Sequence, residues 1–479
     1  MTGHKQKSGL VRTLIDNSFL LIAGAILALV WANLAPPIST PTAPDQQVSD
    51  VPPETSYTRF VNFDLSSLWS DHQDESDSKD KQAATVNNAV ADDAVADNAV
   101  ADNAVADDAV ADDADQTHEK GHSSHHGLTI QFIINDILMA LFFAIAAKEV
   151  WESLLPGGAL SNPRKAATPL LATVGGIAGP ALIYVAGCYF TDTQDIFGRG
   201  WAVPCATDIA FSYLIARMIF GVGHPAIAFL LLLAIADDAA GLMILALFYP
   251  QDALQPQWFL LTVGAMVLAY AMRRGKIQSH WLYLLGPGIL AWYSFYQANI
   301  HAALGLVPII PLLPHAHTDL GMFAKEEQNR KDTLNEFEHF WKTPVEFFLG
   351  LFGLANAGVV MSSLGTGTWL VLGGLLLGKP LGITAMTLFA EKVLKLQKPA
   401  GMDYRHVVTL GMIAGIGFTV ALFVSVAAFT VPGSVQDSVK MGALLSFAAA
   451  PLAIVIAKLL RIRPTPKPSV DPTAEATAS

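Results

Sequence analysis

The chain has 479 residues, 52 % of them hydrophobic and 15 % charged, with a mean hydropathy of +0.41. Water-soluble domains carry about 25 % charged residues, so this composition excludes an ordinary cytosolic enzyme and points to a polytopic membrane protein. The net charge of −12 is confined to one stretch. Residues 36–127 hold 19 acids and 4 bases, and the rest of the chain holds 22 acids and 25 bases, with no basic stripe suited to nucleic acid.

A membrane-spanning helix needs about 20 apolar residues. Apolar runs are read at 14–35, 128–154, 166–187, 201–220, 225–249, 257–272, 281–297, 300–314, 343–363, 367–390, 405–431 and 438–458. The expected fold is therefore an all-α polytopic membrane protein with about 12 transmembrane helices. With the N-terminus inside, the inner segments carry 20 lysines and arginines and the outer segments 5. That bias places both termini in the cytoplasm. The apolar run from Phe19 to Ala35 is long for a signal peptide and reads as an uncleaved first helix.

Four regions follow. Residues 1–35 are a cytoplasmic N-terminus and first helix, 36–127 an outer insert, 128–460 the apolar body with helices 2–12, and 461–479 a cytoplasmic tail. The insert contains five tandem copies of Ala-Val-Ala-Asp-Asp/Asn between Ala89 and Asp113. A period of five with one valine cannot bury a core, so the insert is expected to be disordered. His118, His122, His125 and His126 follow the repeats and are read as part of this solvated linker. Cys188 and Cys205 are the only cysteines; they show no metal-ligand spacing and read as small apolar packing residues.

Ionisable residues within spans are costly and are functional candidates. Asp237 and Asp238 lie midway along the fifth span, in Leu-Ala-Ile-Ala-Asp-Asp-Ala-Ala-Gly. Adjacent helical positions point about 100° apart, so one carboxylate can face a cavity and the other a partner helix. Asp208 follows Thr207 and Pro204 in the fourth span. Proline removes a backbone donor, so this span is expected to be interrupted, with Asp208 either capping a helix start or facing an ion. Lys379, in Leu-Gly-Lys-Pro-Leu-Gly of the tenth span, needs a carboxylate if it is buried and charged. Gly411, Gly415 and Gly417 in the eleventh span read either as close helix packing or as a second interruption. Paired with Pro204, they suggest interrupted helices in two inverted repeats. Lys148, Glu149 and Glu152 are read as a solvated mouth, and His301, Glu338 and His339 stand near span ends, where histidine can confer pH dependence.

These residues resemble the bacterial NhaA-type sodium/proton antiporters. The resemblance is carried by Asn135-Asp136 with Leu-Met-Ala-Leu-Phe-Phe (138–143), Ala-Thr-Asp-Ile-Ala-Phe (206–211), Ala-Asp-Asp-Ala-Ala-Gly (236–241) with Ala-Leu-Phe-Tyr (246–249), Gly-Leu-Ala-Asn-Ala-Gly (353–358), Gly-Lys-Pro-Leu-Gly-Ile (378–383) and Gly-Ile-Gly-Phe-Thr (415–419). They run in order from about 128 to 460. The family is itself a standard example of inverted-repeat transporters. The resemblance implies that the interrupted fourth and eleventh spans cross. It makes Asp238 the main sodium and proton ligand, with Asp237 paired to Lys379 and Asp208 and Thr207 lining the crossing. It assigns pH response to Glu149, Glu338, His339 and His301. It implies Na+ or Li+ and H+ as transported ions, in pH and sodium homeostasis, with no cofactor and no enzymatic reaction. A homodimer is implied, although the acidic insert stands where family members carry a short dimer-contact hairpin. The stretch 146–153 departs from the family: Lys148 is new and Ser153 replaces an acid.

A sodium-coupled organic-anion symporter on a related fold is the competing transport reading. An intramembrane aspartyl protease would need its aspartates on different helices and a Gly-x-Gly-Asp motif, which is absent. Because the acidity lies outside the apolar body, deletion of residues 85–115 is expected to leave ion exchange intact. Lost exchange in a deletion variant that still inserts would show the insert to be functional.

Overall fold

The computed structural model describes residues 19–36, 55–67, 128–315 and 332–464. The Ala-Val-Ala-Asp repeats and the four histidines after them lie outside the described residues. The described residues are mostly helical, and Asp64 and Thr129 form an isolated antiparallel bridge.

The helices are α1 (Phe19–Leu34), α2 (Ser56–Val61), α3 (Ile130–Leu154), α4 (Pro163–Phe190), α5 (Gln194–Cys205), α6 (Ile209–Phe220), α7 (Pro225–Phe248), α8 (Phe259–Arg274), α9 (His280–Tyr283), α10 (Ile289–Gln297), α11 (Thr333–Asn356), α12 (Thr366–Lys392), α13 (Tyr404–Ala414), α14 (Phe418–Ala428) and α15 (Ser434–Leu459). Five of them, α3, α4, α7, α12 and α15, contain stretches long and apolar enough to cross a membrane. The bent pairs α5–α6 and α13–α14 each qualify when taken together, which raises the number to seven.

Local signals explain several boundaries. Pro225 opens α7 at a position where no amide partner is needed. Asp332 caps α11 by accepting from the Asn335 amide at 2.9 Å, so this helix starts ten residues before the apolar run beginning at 343. The expected eighth span, 300–314, is not a regular helix. It folds as short 3-10 turns at Ala302–Leu304 and Ile310–Leu312, because Gly305, Pro308, Pro311 and Pro314 deny it a continuous ladder.

The compact clustering of the chain gives two units, residues 1–60 with 131–479, and residues 61–130. In the second unit, the Leu65 amide donates to the Leu128 carbonyl at 3.1 Å and the Ile130 amide to the Phe63 carbonyl at 3.2 Å. Residues 63–65, within the insert, are thus bonded to residues 128–130, just after it. Order also reaches the insert in the first unit, where buried Tyr57 donates to the carbonyls of Leu354 and Ala355 at 3.0 and 2.9 Å. The expectation of disorder covers 36–127; of that stretch only residues 36 and 55–67 are described, and the latter include a short helix anchored by buried Tyr57 and Val61.

Within the first unit, α4 and α12 make the closest helix pair. A Cβ on Gly175 would strike the Gly382 carbonyl, and one on Gly382 would strike the Gly175 carbonyl. Gly179 and Gly378 meet in the same way one turn along. Small residues spaced by four let two backbones touch. Gly24 of α1 similarly lies on Gly350 of α11. Around the α4–α12 pair pack α5, α7, α13 and α15, with α6 and α14 completing this group. A second group comprises α1, α3 and α11, and α3 and α11 touch the first group through α7 and α14.

His224 caps α7 by accepting from the Ala226 amide through Nδ1 at 3.1 Å. An amide can only donate, so this ring must be neutral at Nδ1. Burial, and then the ring of His406 with its centroid 4.8 Å away, hold the His224 pKa below the ordinary histidine value. A depressed folded-state pKa means that the cap's contribution is fully present above the unfolded value of about 6.5 and is lost as pH falls through the folded value. Asparagine keeps the capping oxygen without titrating. The fall in thermal stability of detergent-solubilised protein between pH 8 and pH 5 is therefore expected to be smaller in His224→Asn. An equal acid loss in that variant would remove His224 from the account.

Candidate functional site

Two backbone breaks form the centre of the site. Between α5 and α6 the chain is extended at Ala206 (ψ 150°) and Asp208 (ψ 105°), and the flanking helices bend by 52°. Between α13 and α14 it passes through Gly415–Gly417 with a bend of 49°. The breaks bond to one another. The Asp208 amide donates to the Ile416 carbonyl at 2.7 Å, the Thr207 hydroxyl to Ala414 at 3.2 Å and the Ser212 hydroxyl to Ile413 at 3.1 Å. The glycines permit this approach: a Cβ at Gly415 would meet the Leu375 carbonyl, and one at Gly417 the Leu375 side chain and the Ala206 carbonyl. Gly411 lies against Pro380, and buried Pro204 ends the 3-10 part of α5 against Gly374.

Broken helices expose charged ends. Helix starts carry partial positive charge and helix ends partial negative charge. The Asp208 carboxylate accepts from the Phe211 amide at 3.3 Å, which caps α6. It also accepts from the Thr419 amide at 3.3 Å and from the Thr419 hydroxyl, at the start of α14. One acid therefore serves two helix starts. At the end of α5, the ammonium of Lys379 donates to the Cys205 carbonyl.

Lys379 is completely buried, directly after a π-helical turn at Gly374–Gly378. Its carboxylate partner is Asp237, 3.0 Å away and 4 % exposed. The Thr207 amide and hydroxyl lie beside the same carboxylate. Asp238, the next residue of α7, is half-buried and sits in the field of Asp237, Glu149 and Asp208. Among the described residues no hydrogen-bond donor reaches its carboxylate. The structure thus brings Thr207, Asp208, Asp237, Asp238 and Lys379 together.

The four residues assigned to pH response do not form one cluster. Glu149 lies within the electrostatic reach of Asp238, and Glu338 meets Lys148 at 2.5 Å. Lys148 also meets Glu152 at 2.5 Å. Lys148 is only 4 % exposed, which corrects the reading of a solvated mouth. Its two carboxylates supply the charge that keeps it buried. His339 is exposed. His301 stands apart, buried, with Nδ1 3.2 Å from Asp136 and its ring against Phe423.

Sequence reasoning did not single out Thr419, although it closes the Gly-Ile-Gly-Phe-Thr motif. It also missed the reciprocal amide pair of Asn135 and Asn356, bonded at 3.1 and 2.8 Å between α3 and α11. Both asparagines stand in motifs quoted above. Cys188 and Cys205 are buried and free.

A family profile described as Na+/H+ antiporter 1 matches residues 100–457. The chain is 50 % identical over 469 residues to the Na(+)/H(+) antiporter NhaA of Jannaschia sp. (strain CCS1), covering 93 % of this chain and 96 % of that protein. It is 50 % identical over 352 residues to the Na(+)/H(+) antiporter NhaA of Geotalea uraniireducens (strain Rf4), covering 73 % and 90 %. With the Na(+)/H(+) antiporter NhaA of Geobacter metallireducens the identity is 46 % over 346 residues, covering 72 % and 90 %. The profile match and the near full-length likeness to the Jannaschia protein place this multi-pass membrane chain in the NhaA-type Na+/H+ antiporter family.

Proposed function

We propose that this chain exchanges cytoplasmic Na+ (or Li+) for external H+ across the bacterial inner membrane, with both termini in the cytoplasm. In this reading about twelve spans form inverted repeats, and the interrupted fourth and eleventh spans cross at the paired breaks. The names of the relatives support the ions, and the 20 to 5 distribution of basic residues supports the orientation.

One observation carries the mechanism: Lys379 pairs directly with Asp237, whereas among the described residues no cation stands within ion-pair distance of Asp238, which feels Lys379 only at longer range. A carboxylate away from bulk water stays charged only beside a counter-charge. A proton or a sodium ion can serve Asp238, and occupancy by one excludes the other. Loss of the proton to an alkaline cytoplasm leaves a charged carboxylate that accepts Na+. The Thr207 hydroxyl and the backbone carbonyls of the breaks are further oxygen donors close by. Rocking of one helix group against the other then opens the site outward, where protons displace the ion. Lys379 and Asp208 hold the helix ends in place through the cycle. Glu149, in the field of Asp238, is the group best placed to pass protons from the cytoplasmic side.

Asp238→Asn keeps the side-chain volume and removes the titratable charge. In everted vesicles this variant is expected to abolish Na+-dependent collapse of the proton gradient while reaching the membrane in normal amount. Undiminished collapse would sink the assignment.

A further inference from the structure

The outer half of the interrupted helix has only a weak ladder of its own. Gly198–Cys205 winds as a 3-10 helix and includes Pro204. Its hydrogen bonds are of poorer geometry than those of an α-helix, and the break at 206–208 cuts it off from α6. Side chains from α4 and α7 hold it in place. Tyr249 follows the last residue of α7 and is 1 % exposed. Its hydroxyl donates to the Arg199 carbonyl at 2.7 Å and accepts from the Ala202 amide at 3.3 Å. Phe248, one residue earlier, sets its ring edge-on to Trp201 with centroids 5.4 Å apart. Tyr184 of α4 donates to the Phe197 carbonyl at 2.9 Å. Gly200 makes room for these contacts, since a Cβ there would strike the Tyr184 hydroxyl and the Phe429 ring.

We propose that Tyr249 is a positioning residue for cation exchange. It docks the outer half-helix onto the helix that bears Asp237 and Asp238, and so sets where the Cys205 carbonyl and Thr207 stand relative to those carboxylates. The proposal rests on the ion-site reading above. Along α7, Tyr249 lies 11 residues from Asp238, about 17 Å at 1.5 Å per residue. The same helix therefore grips α5 near its outer part through Tyr249, and reaches the break just beyond its inner end through Asp237 beside Thr207. Removing the hydroxyl takes a partner from the buried Ala202 amide and from the part-buried Arg199 carbonyl at once. The half-helix then spends part of its time undocked. Tyr249 touches no ion, so the cost falls on the fraction of molecules with a competent site. Apparent affinity drops by that fraction, while saturated molecules turn over as before.

The test uses the full chain in proteoliposomes. Tyr249→Phe keeps the ring volume and is expected to raise the apparent KM for Na+ about 10-fold, with the maximal rate within about two-fold of wild type. The chain has two cysteines, so a Cys188→Ser background leaves Cys205, at the end of the half-helix and 4 % exposed, as the sole thiol. A maleimide is expected to label it several times faster in Tyr249→Phe than in the parent. This readout follows docking wherever the ion binds, so an incorrect ion-site reading would leave the labelling difference standing. Tyr184→Phe removes a single bond and is expected to move both quantities in the same direction by less, and it decides the matter if the first variant fails to insert. Unchanged KM and labelling overturn the proposal, and so does a loss of maximal rate at unchanged KM, which marks a purely structural role.

Discussion

Amides and carbonyls released by a break in a membrane helix must be satisfied by protein, because lipid offers them no partner. Two such breaks meet in this chain, and the rest of the site depends on how their ends are neutralised. The starts of α6 and α14 share one acid, Asp208, and the end of α5 receives the ammonium of Lys379. A fully buried ammonium needs a carboxylate of its own, and Asp237 provides it. That pairing commits Asp237 to the fold. Asp238, one residue along and turned by about 100°, is the carboxylate that the proposed exchange assigns to the ion. The backbone breaks thus account for the charges in sequence, from Asp208 and Lys379 to Asp237 and then to Asp238.

The supporting frame has the stiffness this arrangement needs. The reciprocal glycine contacts of α4 and α12 bring two backbones together beside the breaks, and Pro180 packs onto Gly378 just ahead of Lys379. Both long helices that carry isolated charges change their winding there. The π turn at Ile133–Leu138 contains Asp136, and the one at Gly374–Gly378 immediately precedes Lys379. Such turns shift the phase of a helix and recur at functional sites. At the second turn, Pro380 directly follows Lys379 and withholds an amide from the ladder.

Much of the centre was legible because ionisable residues within long apolar runs are rare, so Asp208, Asp237, Asp238 and Lys379 stand out. The Pro204 and Gly415–Gly417 signals located both breaks for the same reason: they interrupt otherwise strong helical patterns. Pairings across the chain were not legible. Lys148 looked solvated because the second of its two carboxylate partners, Glu338, lies 190 residues away, while Glu152 alone is an ordinary pair four residues along. Asp208 could be seen to cap a helix start locally, but not that it also accepts from Thr419, 211 residues distant. Apolarity alone suggested a helix at 300–314, where three prolines and a glycine decided otherwise. The glycine spacings at 175 and 179 and at 378 and 382 were visible, but not that they face each other.

The central claim is that one carboxylate, Asp238, is served by either a proton or a sodium ion. Its most direct test is proton release on sodium binding, measured with purified, lightly buffered protein at alkaline pH in the absence of any gradient. The account predicts that added Na+ displaces protons in proportion to the sodium bound. Sodium binding with no proton release would contradict it.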